Sequence, residues 1–339
     1  MKILFIASKD PDYLQDLTYS GLAERLGKEN VVDYPRHWQF HKVKKHFWSA
    51  ANRYPRNLGY NVDSPAAFND KEIESFLNKN EFDWVALGAA KPDALRTFLE
   101  IEHKIKAPWF FIDGGDRTEI GGDFLREGGA QDFHQFQSLC RRCPPALIFK
   151  RELAIGESIP QCLPLPFSVN TRQLSILPCA LTKRFQVVFW AVESSPIRRK
   201  VLQSLRGKYD CSLNGTASGQ KFKKYKFTGA DYFKSLNQSQ VALSFRGEGF
   251  DTLRYWEIPA CGSLLLSERP LIQIQNNFMD RGQAVFCKND ASDLFLLIDY
   301  YLGRPDEACA IAQEGQKHLL AHHTHLHRAD YILNPLECV

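Results

Sequence analysis

The sequence predicts an α/β protein made of two units in tandem, each a parallel sheet covered by helices. Short apolar runs recur between amphipathic stretches, a proline-rich segment interrupts the series near mid-chain, and the strand–helix pattern then begins again. At 339 residues the chain is also too long for one ordinary core and fits about two domains.

In the first half the strand-like runs are KILFIA (Lys2 to Ala7), DWVALGA (Asp83 to Ala89), PWFFIDGG (Pro108 to Gly115) and ALIFK (Ala146 to Lys150). Between them, LTYSGLAERLGK (Leu17 to Lys28) and DKEIESFLNKN (Asp70 to Asn80) read as helices; the latter sets Ile73, Phe76 and Leu77 on one face. LPLPFSVNTRQLSILPCALTKR (Leu163 to Arg184) is rich in proline and aperiodic, which makes it the natural linker. The expected division is a domain over 1–165, a linker over 166–183 and a second domain over 184–339. The second domain opens with the strand RFQVVFWA (Arg184 to Ala191) and the helix SSPIRRKVLQSLRGK (Ser194 to Lys208), with proline in its first turn. QVALSFR (Gln240 to Arg246), GSLLLSE (Gly262 to Glu268) and QAVFCK (Gln283 to Lys288) follow as strands, then LFLLIDYYL (Leu294 to Leu302) as a helix. Ligands of such folds sit outside the carboxyl ends of the strands, here expected in a cleft between two Rossmann-like domains.

Composition narrows the function classes. No apolar run approaches the ~18–20 residues that cross a bilayer. KILFIA leads straight into Ser8, Lys9 and Asp10, so it reads as a first strand rather than an export signal, and a cytoplasmic protein is expected. A formal charge of +4 does not point to a nucleic-acid partner. Two basic clusters, HKVKKH (His41 to His46) and KFKKYKF (Lys221 to Phe227), read either as solvated faces or as patches attracting phosphates. Those phosphates would belong to a donor or to an anionic inner-membrane surface, which leaves peripheral membrane contact open. Nine irregularly spaced cysteines fit reduced, mostly buried residues. The CxxC pair Cys140 and Cys143 lacks two further zinc ligands. His322, His323, His325 and His327 are poor joint ligands on a helix, since pairs two apart point in different directions. No metal site is expected.

The most informative stretch is VALSFRGEGFDTLRYWEIPACGSLLLSE, Val241 to Glu268. A strand ends at Arg246, Gly247 to Gly249 form a loop, and Asp251 or Thr252 can cap a helix running from Leu253 to Ala260. Gly262 stops it before the next strand. A glycine loop opening a helix offers free N–H groups and a positive dipole end, a cradle for a diphosphate. Arg246 can add a charge-assisted fork. Arg254 and Glu257 share a helix face, and a carboxylate there can accept two ribose hydroxyls; alternatively the two form a plain ion pair.

The stretch resembles the C-terminal nucleotide-sugar-binding domain of group 1 glycosyltransferases with the GT-B fold, in the branch reading roughly G…R-x-x-E-x-x-A-C-G. Gly249, Arg254, Glu257, Ala260, Cys261 and Gly262 carry that likeness. It continues through SERPLIQIQNNFMDRGQAVF (Ser267 to Phe286) and NDASDL (Asn289 to Leu294) to GQKHLLAHHTHLHRADYIL (Gly315 to Leu333), similar to the family's closing segment. Upstream, ALIFKREL and LPLPFSVN resemble its interdomain crossover, while a weaker likeness to exostosin-type transferases rests on the same arginine and glutamate. The resemblance implies a GT-B glycosyltransferase that takes a nucleotide diphosphate-sugar as co-substrate, with no other cofactor and no metal. Glu257 would hold the ribose, and Arg254, Arg246, Arg198 and the loop N–H groups around Gly249 and Thr252 would meet the diphosphate. The family's usual glutamate pair encloses seven residues, but Glu248 and Glu257 enclose eight, which leaves the part of Glu248 and the stereochemical outcome open. The acceptor would be a saccharide, a lipid-linked sugar or a protein, in polysaccharide, glycolipid or glycoprotein synthesis.

A base or stabilising group is expected from the N-terminal domain at a strand end. FFIDGGDRTEIGGD offers Asp113 and Asp116, which read either as catalytic carboxylates or as a plain Asp-Gly-Gly-Asp turn. Asp10 and His134 are weaker candidates. The competing readings are a nucleotide-sugar epimerase and a binding protein that keeps the fold without catalysis. No GxGxxG follows KILFIA or RFQVVFWA, which disfavours a dinucleotide oxidoreductase.

Overall fold

A computed structural model describes residues 1–37, 40–41, 68–174, 182–211, 216 and 229–337. The cluster KFKKYKF, all of HKVKKH except His41, and positions 175–181 of the expected linker lie outside the described residues. The chain divides into two compact units: one runs to Phe167 and regains the chain at His325, and the other takes Ser168–Thr324.

The first unit has, among the described residues, six parallel strands: β1 (Ile3–Ile6), β2 (Val31–Tyr34), β3 (Trp84–Leu87), β4 (Trp109–Asp113), β5 (Leu147–Lys150) and β6 (Cys162–Pro164). Their order is β2-β1-β3-β4-β5-β6. Every residue of β1, β3 and β4 is buried, which is why these runs are apolar throughout rather than alternating. The helices are α1 (Tyr13–Leu26), α2 (Asp70–Lys79), α3 (Pro92–Ile101) and α4 (Gly122–Arg142). Helix α1 starts before the expected Leu17 because Asp12 caps it, accepting from the Gln15 N–H at 3.0 Å. An Asn69–Glu72 capping box fixes the start of α2. β6 lies partly inside the proline-rich stretch read as linker, so Leu163 and Pro164 belong to the first sheet.

The second unit has, among the described residues, four parallel strands: β7 (Phe185–Val188), β8 (Ser239–Ser244), β9 (Leu264–Glu268) and β10 (Val285–Cys287). They are ordered β10-β9-β8-β7. Its helices are α5 (Thr171–Leu174), α6 (Pro196–Leu205), α7 (Gly229–Asn237), α8 (Leu253–Ala260), α9 (Leu294–Leu302) and α10 (Pro305–His322). Val187, Val241, Leu243, Leu264, Leu266, Ile298 and Ile311 form the core between sheet and helices. Lys183 ties the amino-terminal side of this sheet. Its ammonium donates to the carbonyls of Asn237 (2.8 Å) and Gly262 (2.8 Å) and to the Ser263 hydroxyl (2.9 Å). All three of its donors are used, and burial lowers its pKa to about 8.

The closing segment breaks at His323 and Thr324, and helix α11 (His325–Leu336) belongs to the first unit. There it packs on α1 so closely that a Cβ at Gly21 would collide with the His325 carbonyl. The buried Arg328 donates to the carbonyls of Pro166 (2.9 Å) and Phe167 (3.0 Å), which anchors the segment. The histidines divide between the units. His318 and His323 both bond the Asn276 carbonyl, at 2.6 and 2.8 Å, while His325 pairs with Glu24 at 3.1 Å. Among the described residues no cluster of metal-ligating side chains is present, and no helix is long and apolar enough to cross a membrane. The described cysteines are all free; Cys162, Cys211, Cys261 and Cys287 are buried, but Cys143 of the CxxC pair is exposed.

Candidate functional site

The carboxyl ends of β7, β8 and β9 gather the residues singled out in the second half. Pro196 and the Ser195 N-cap start α6, which puts Arg198 in its first turn. The Arg198 side chain is buried; its Nε donates to the Phe245 carbonyl (2.9 Å) and its guanidinium to the Ser194 hydroxyl (2.8 Å). Gly247 makes room for it, since a Cβ there would stand 3.3 Å from the guanidinium. Arg246, one residue on from Phe245, is one-third exposed. It forms an ion pair with Glu268 at the end of β9, and its backbone N–H also donates to that carboxylate. Burial raises the Glu268 pKa, while Arg246 and Arg198 pull it back down.

Thr252 is the N-cap of α8 but does not cap with its side chain. Its hydroxyl is bonded to Ser244 at 2.9 Å, and Asp251 takes the Trp256 indole N–H at 2.8 Å instead. Gly249 is buried, and its carbonyl accepts from the Gly247 N–H at 3.0 Å. Glu248 is exposed. One turn into α8 the expected pair appears, and it is not an ion pair. The buried Nε of Arg254 has no hydrogen-bond partner, and neither has Oε1 of Glu257. Glu257 is 2% exposed, and its other oxygen accepts from the Tyr232 hydroxyl of α7 at 2.7 Å. Burial raises the Glu257 pKa; the Tyr232 bond and the Arg254 charge act against that rise. Tyr232 was not singled out from the sequence. It stands far from Glu257 in the chain, with no local pattern to mark the pairing.

In the first unit the aspartates of FFIDGGDR are fully engaged. Asp113 is inaccessible: it pairs with Lys150 at 3.1 Å and accepts from the N–H groups of Gly121 (2.8 Å) and Gly115 (3.3 Å). The parallel register sets Asp113 of β4 beside Lys150 of β5, so its charge is answered across the sheet. Asp116 is about one-third exposed and bridges Arg151 (2.5 Å) and Arg126 (3.1 Å). Burial alone would raise its pKa, but the two arginines outweigh that and hold it below the ordinary value. Asp10 and His134 are exposed.

Residues 198–334 match a family model described as glycosyl transferase-like. No curated protein matches the chain. Among solved structures, the fold is similar to that of HepE from Anabaena in complex with UDP and glucose (TM-score 0.61, 10% identity, all of both chains covered). It is likewise similar to sucrose-phosphate synthase from Thermosynechococcus elongatus (TM-score 0.60, 11% identity, 100% of this chain and 98% of that one). An α-glucosyltransferase in complex with UDP-glucose and DNA containing an abasic site matches at TM-score 0.60 with 8% identity and 99% of each chain covered. The architecture is GT-B, and the resemblance to glycosyltransferases of that fold holds, with the family match confined to the region from the first turn of α6 through most of α11.

Proposed function

We propose that this protein transfers a sugar from a nucleotide diphosphate-sugar to an acceptor hydroxyl, with the donor held by the second unit. The observation that carries this reading is the pair of unanswered groups on one turn of α8, Arg254 Nε and Glu257 Oε1. Buried polar groups are nearly always bonded, and exceptions call for an explanation such as an absent ligand. A guanidinium N–H and a carboxylate oxygen ask for an anion and a hydroxyl, the two things that a nucleotide diphosphate presents side by side. Glu257 accepts from the ribose in this reading. Arg254, Arg198 and the uncapped N–H groups at the start of α8 stabilise the leaving diphosphate, with no metal called for. Arg246 joins them when it exchanges Glu268 for phosphate. Family and fold point the same way: the matched region is glycosyl transferase-like, and HepE is seen with UDP and glucose.

We assign the acceptor side to the first unit, with a saccharide as the acceptor class. Asp116 is the accessible aspartate of its turn and stays ionised, so it suits an acceptor of hydroxyl hydrogen bonds better than a proton-abstracting base. Asp113 acts by holding that turn through Lys150.

The test is a thermal-shift screen of nucleoside diphosphates and their sugars on the wild type and on Glu257→Ala. Stabilisation by one nucleotide, lost in the variant, supports the donor site and identifies the donor class. A folded wild type that responds to none of them removes the reading. Turnover with the identified donor and a saccharide acceptor then separates an enzyme from a binding protein.

A further inference from the structure

We infer that Tyr232 is a positioning residue that aims the Glu257 carboxylate at the nucleotide's sugar ring, and that the pair makes the site selective for ribonucleotides over their 2′-deoxy counterparts. This rests on the reading of Glu257 as the ribose acceptor. The hydroxyl of Tyr232 holds one oxygen of Glu257 at 2.7 Å, and the other oxygen of the same carboxylate is buried and unbonded. A glutamate has three rotatable bonds, and fixing one oxygen removes most of its alternative rotamers before any ligand arrives. The Tyr232 ring is itself fixed: it packs against Trp190, just beyond β7, at 5.5 Å between centroids and against Phe233 at 5.2 Å.

The pair is also matched in charge state. Burial and the neighbouring Glu257 charge raise the Tyr232 pKa well above that of an ordinary tyrosine, so the phenol remains a donor. Its hydrogen bond in turn favours the ionised form of Glu257 against the desolvation that opposes it. In its ionised form the carboxylate, with one oxygen already engaged, directs its remaining lone pairs at hydroxyl donors. The 2′-hydroxyl is the donor that a deoxynucleotide lacks.

The experiment measures dissociation constants of UDP, GDP and ADP and of dUDP, dGDP and dADP for wild type, Tyr232→Phe and Glu257→Ala. For the base that binds, the wild type is expected to favour the ribonucleotide on the order of tenfold, the scale of one charge-assisted hydrogen bond. Tyr232→Phe keeps the ring and its packing, and melting of the unliganded variant checks that the fold is retained. It is expected to bring the ribo-to-deoxy ratio close to one while leaving deoxynucleotide binding nearly unchanged. A merely structural tyrosine would weaken both nucleotides alike and preserve the ratio, and that result overturns the inference. If Glu257→Ala erases the preference while Tyr232→Phe retains it, Tyr232 loses its part and the donor reading stands. If Glu257→Ala binds ribonucleotide as tightly as wild type, the donor reading itself falls.

Discussion

The carboxyl ends of the two sheets are charged in different ways. In the first unit, Asp113 is met by Lys150, and Asp116 by Arg151 and Arg126. In the second, α8 leaves Arg254 Nε and Glu257 Oε1 without partners. An unanswered buried group costs about 1–3 kcal/mol, so a fold retains such groups where something other than folding requires them. The first unit has comparable unbonded atoms, among them Asp123 Oδ1, whose carboxylate is held through its other oxygen by the Arg126 cation at 2.7 Å, where Glu257 is held by the neutral Tyr232 hydroxyl. What distinguishes α8 is a cationic donor and an anionic acceptor left open on the same turn. Answered charges act as scaffold, and unanswered ones mark the binding end.

Lys150→Met should break this comparison most visibly. It leaves Asp113 buried with its cation gone, a change worth about 3–5 kcal/mol of stability. Denaturant melting followed by two probes should show the first unit unfolding early; a melt like that of wild type would mean the pair is not scaffold. Substitutions in α8 should behave in the opposite way. Arg254→Leu removes an unsatisfied donor and Glu257→Gln removes a buried charge that desolvation opposes, so stability should hold within about 1 kcal/mol or rise. Nucleotide diphosphate binding should nevertheless weaken roughly tenfold or more, since each removes a charge-assisted contact. Loss of stability in step with binding would make α8 scaffold as well.

The Arg246–Glu268 pair lies between these extremes, with an answered charge at the binding end. Glu268→Gln removes the competing carboxylate and leaves Arg246 and Arg198 their positive charge. Nucleotide diphosphate affinity should rise severalfold, as read by titration. A fall would instead make Glu268 itself a ligand contact.

Much of this contrast was legible in the chain and some was not, for a physical reason. The strands β1, β3, β4, β8 and β9 announce themselves as apolar runs because parallel strands are buried on both faces. The limits of α8 could be read from its flanking residues, and they fall at Leu253 and Ala260 as expected. Local signals fail where a partner comes from another element. Lys150 answers Asp113 only through the β4–β5 register, Glu268 answers Arg246 only because β8 and β9 are neighbours, and Tyr232 reaches Glu257 from α7. The sequence marks the start of helix α1 poorly because Leu14 to Ala23 are buried almost all round, which blurs the amphipathic period. The histidine-rich closing segment carries no local sign of its break at Thr324, which sends His325 to Glu24.

The smallest effect concerns pH and separates stability from binding. Burial raises the pKa of Asp12 and Asp123 in the first unit and of Glu257 and Glu268 in the second. Unfolded, these groups titrate near their ordinary values of 3.8 and 4.5. Between those values and the raised ones, the folded protein holds more protons than the unfolded chain. Stability should therefore fall as pH rises through that window. Asp116 works in the other direction, because its pKa is lowered: its contribution is complete above the ordinary value and is lost only on further acidification. Binding should run against the stability trend. Glu257 accepts a hydroxyl best when ionised, so nucleotide affinity should rise with pH across the interval where the melting temperature falls. Glu257→Gln cannot ionise and should lose that rise while keeping the part of the stability trend owed to Asp12, Asp123 and Glu268. Affinity and melting temperature moving together in the wild type would mean that the unanswered carboxylate of α8 is scaffold like those of the first unit, and that the two sheet ends do not differ in kind.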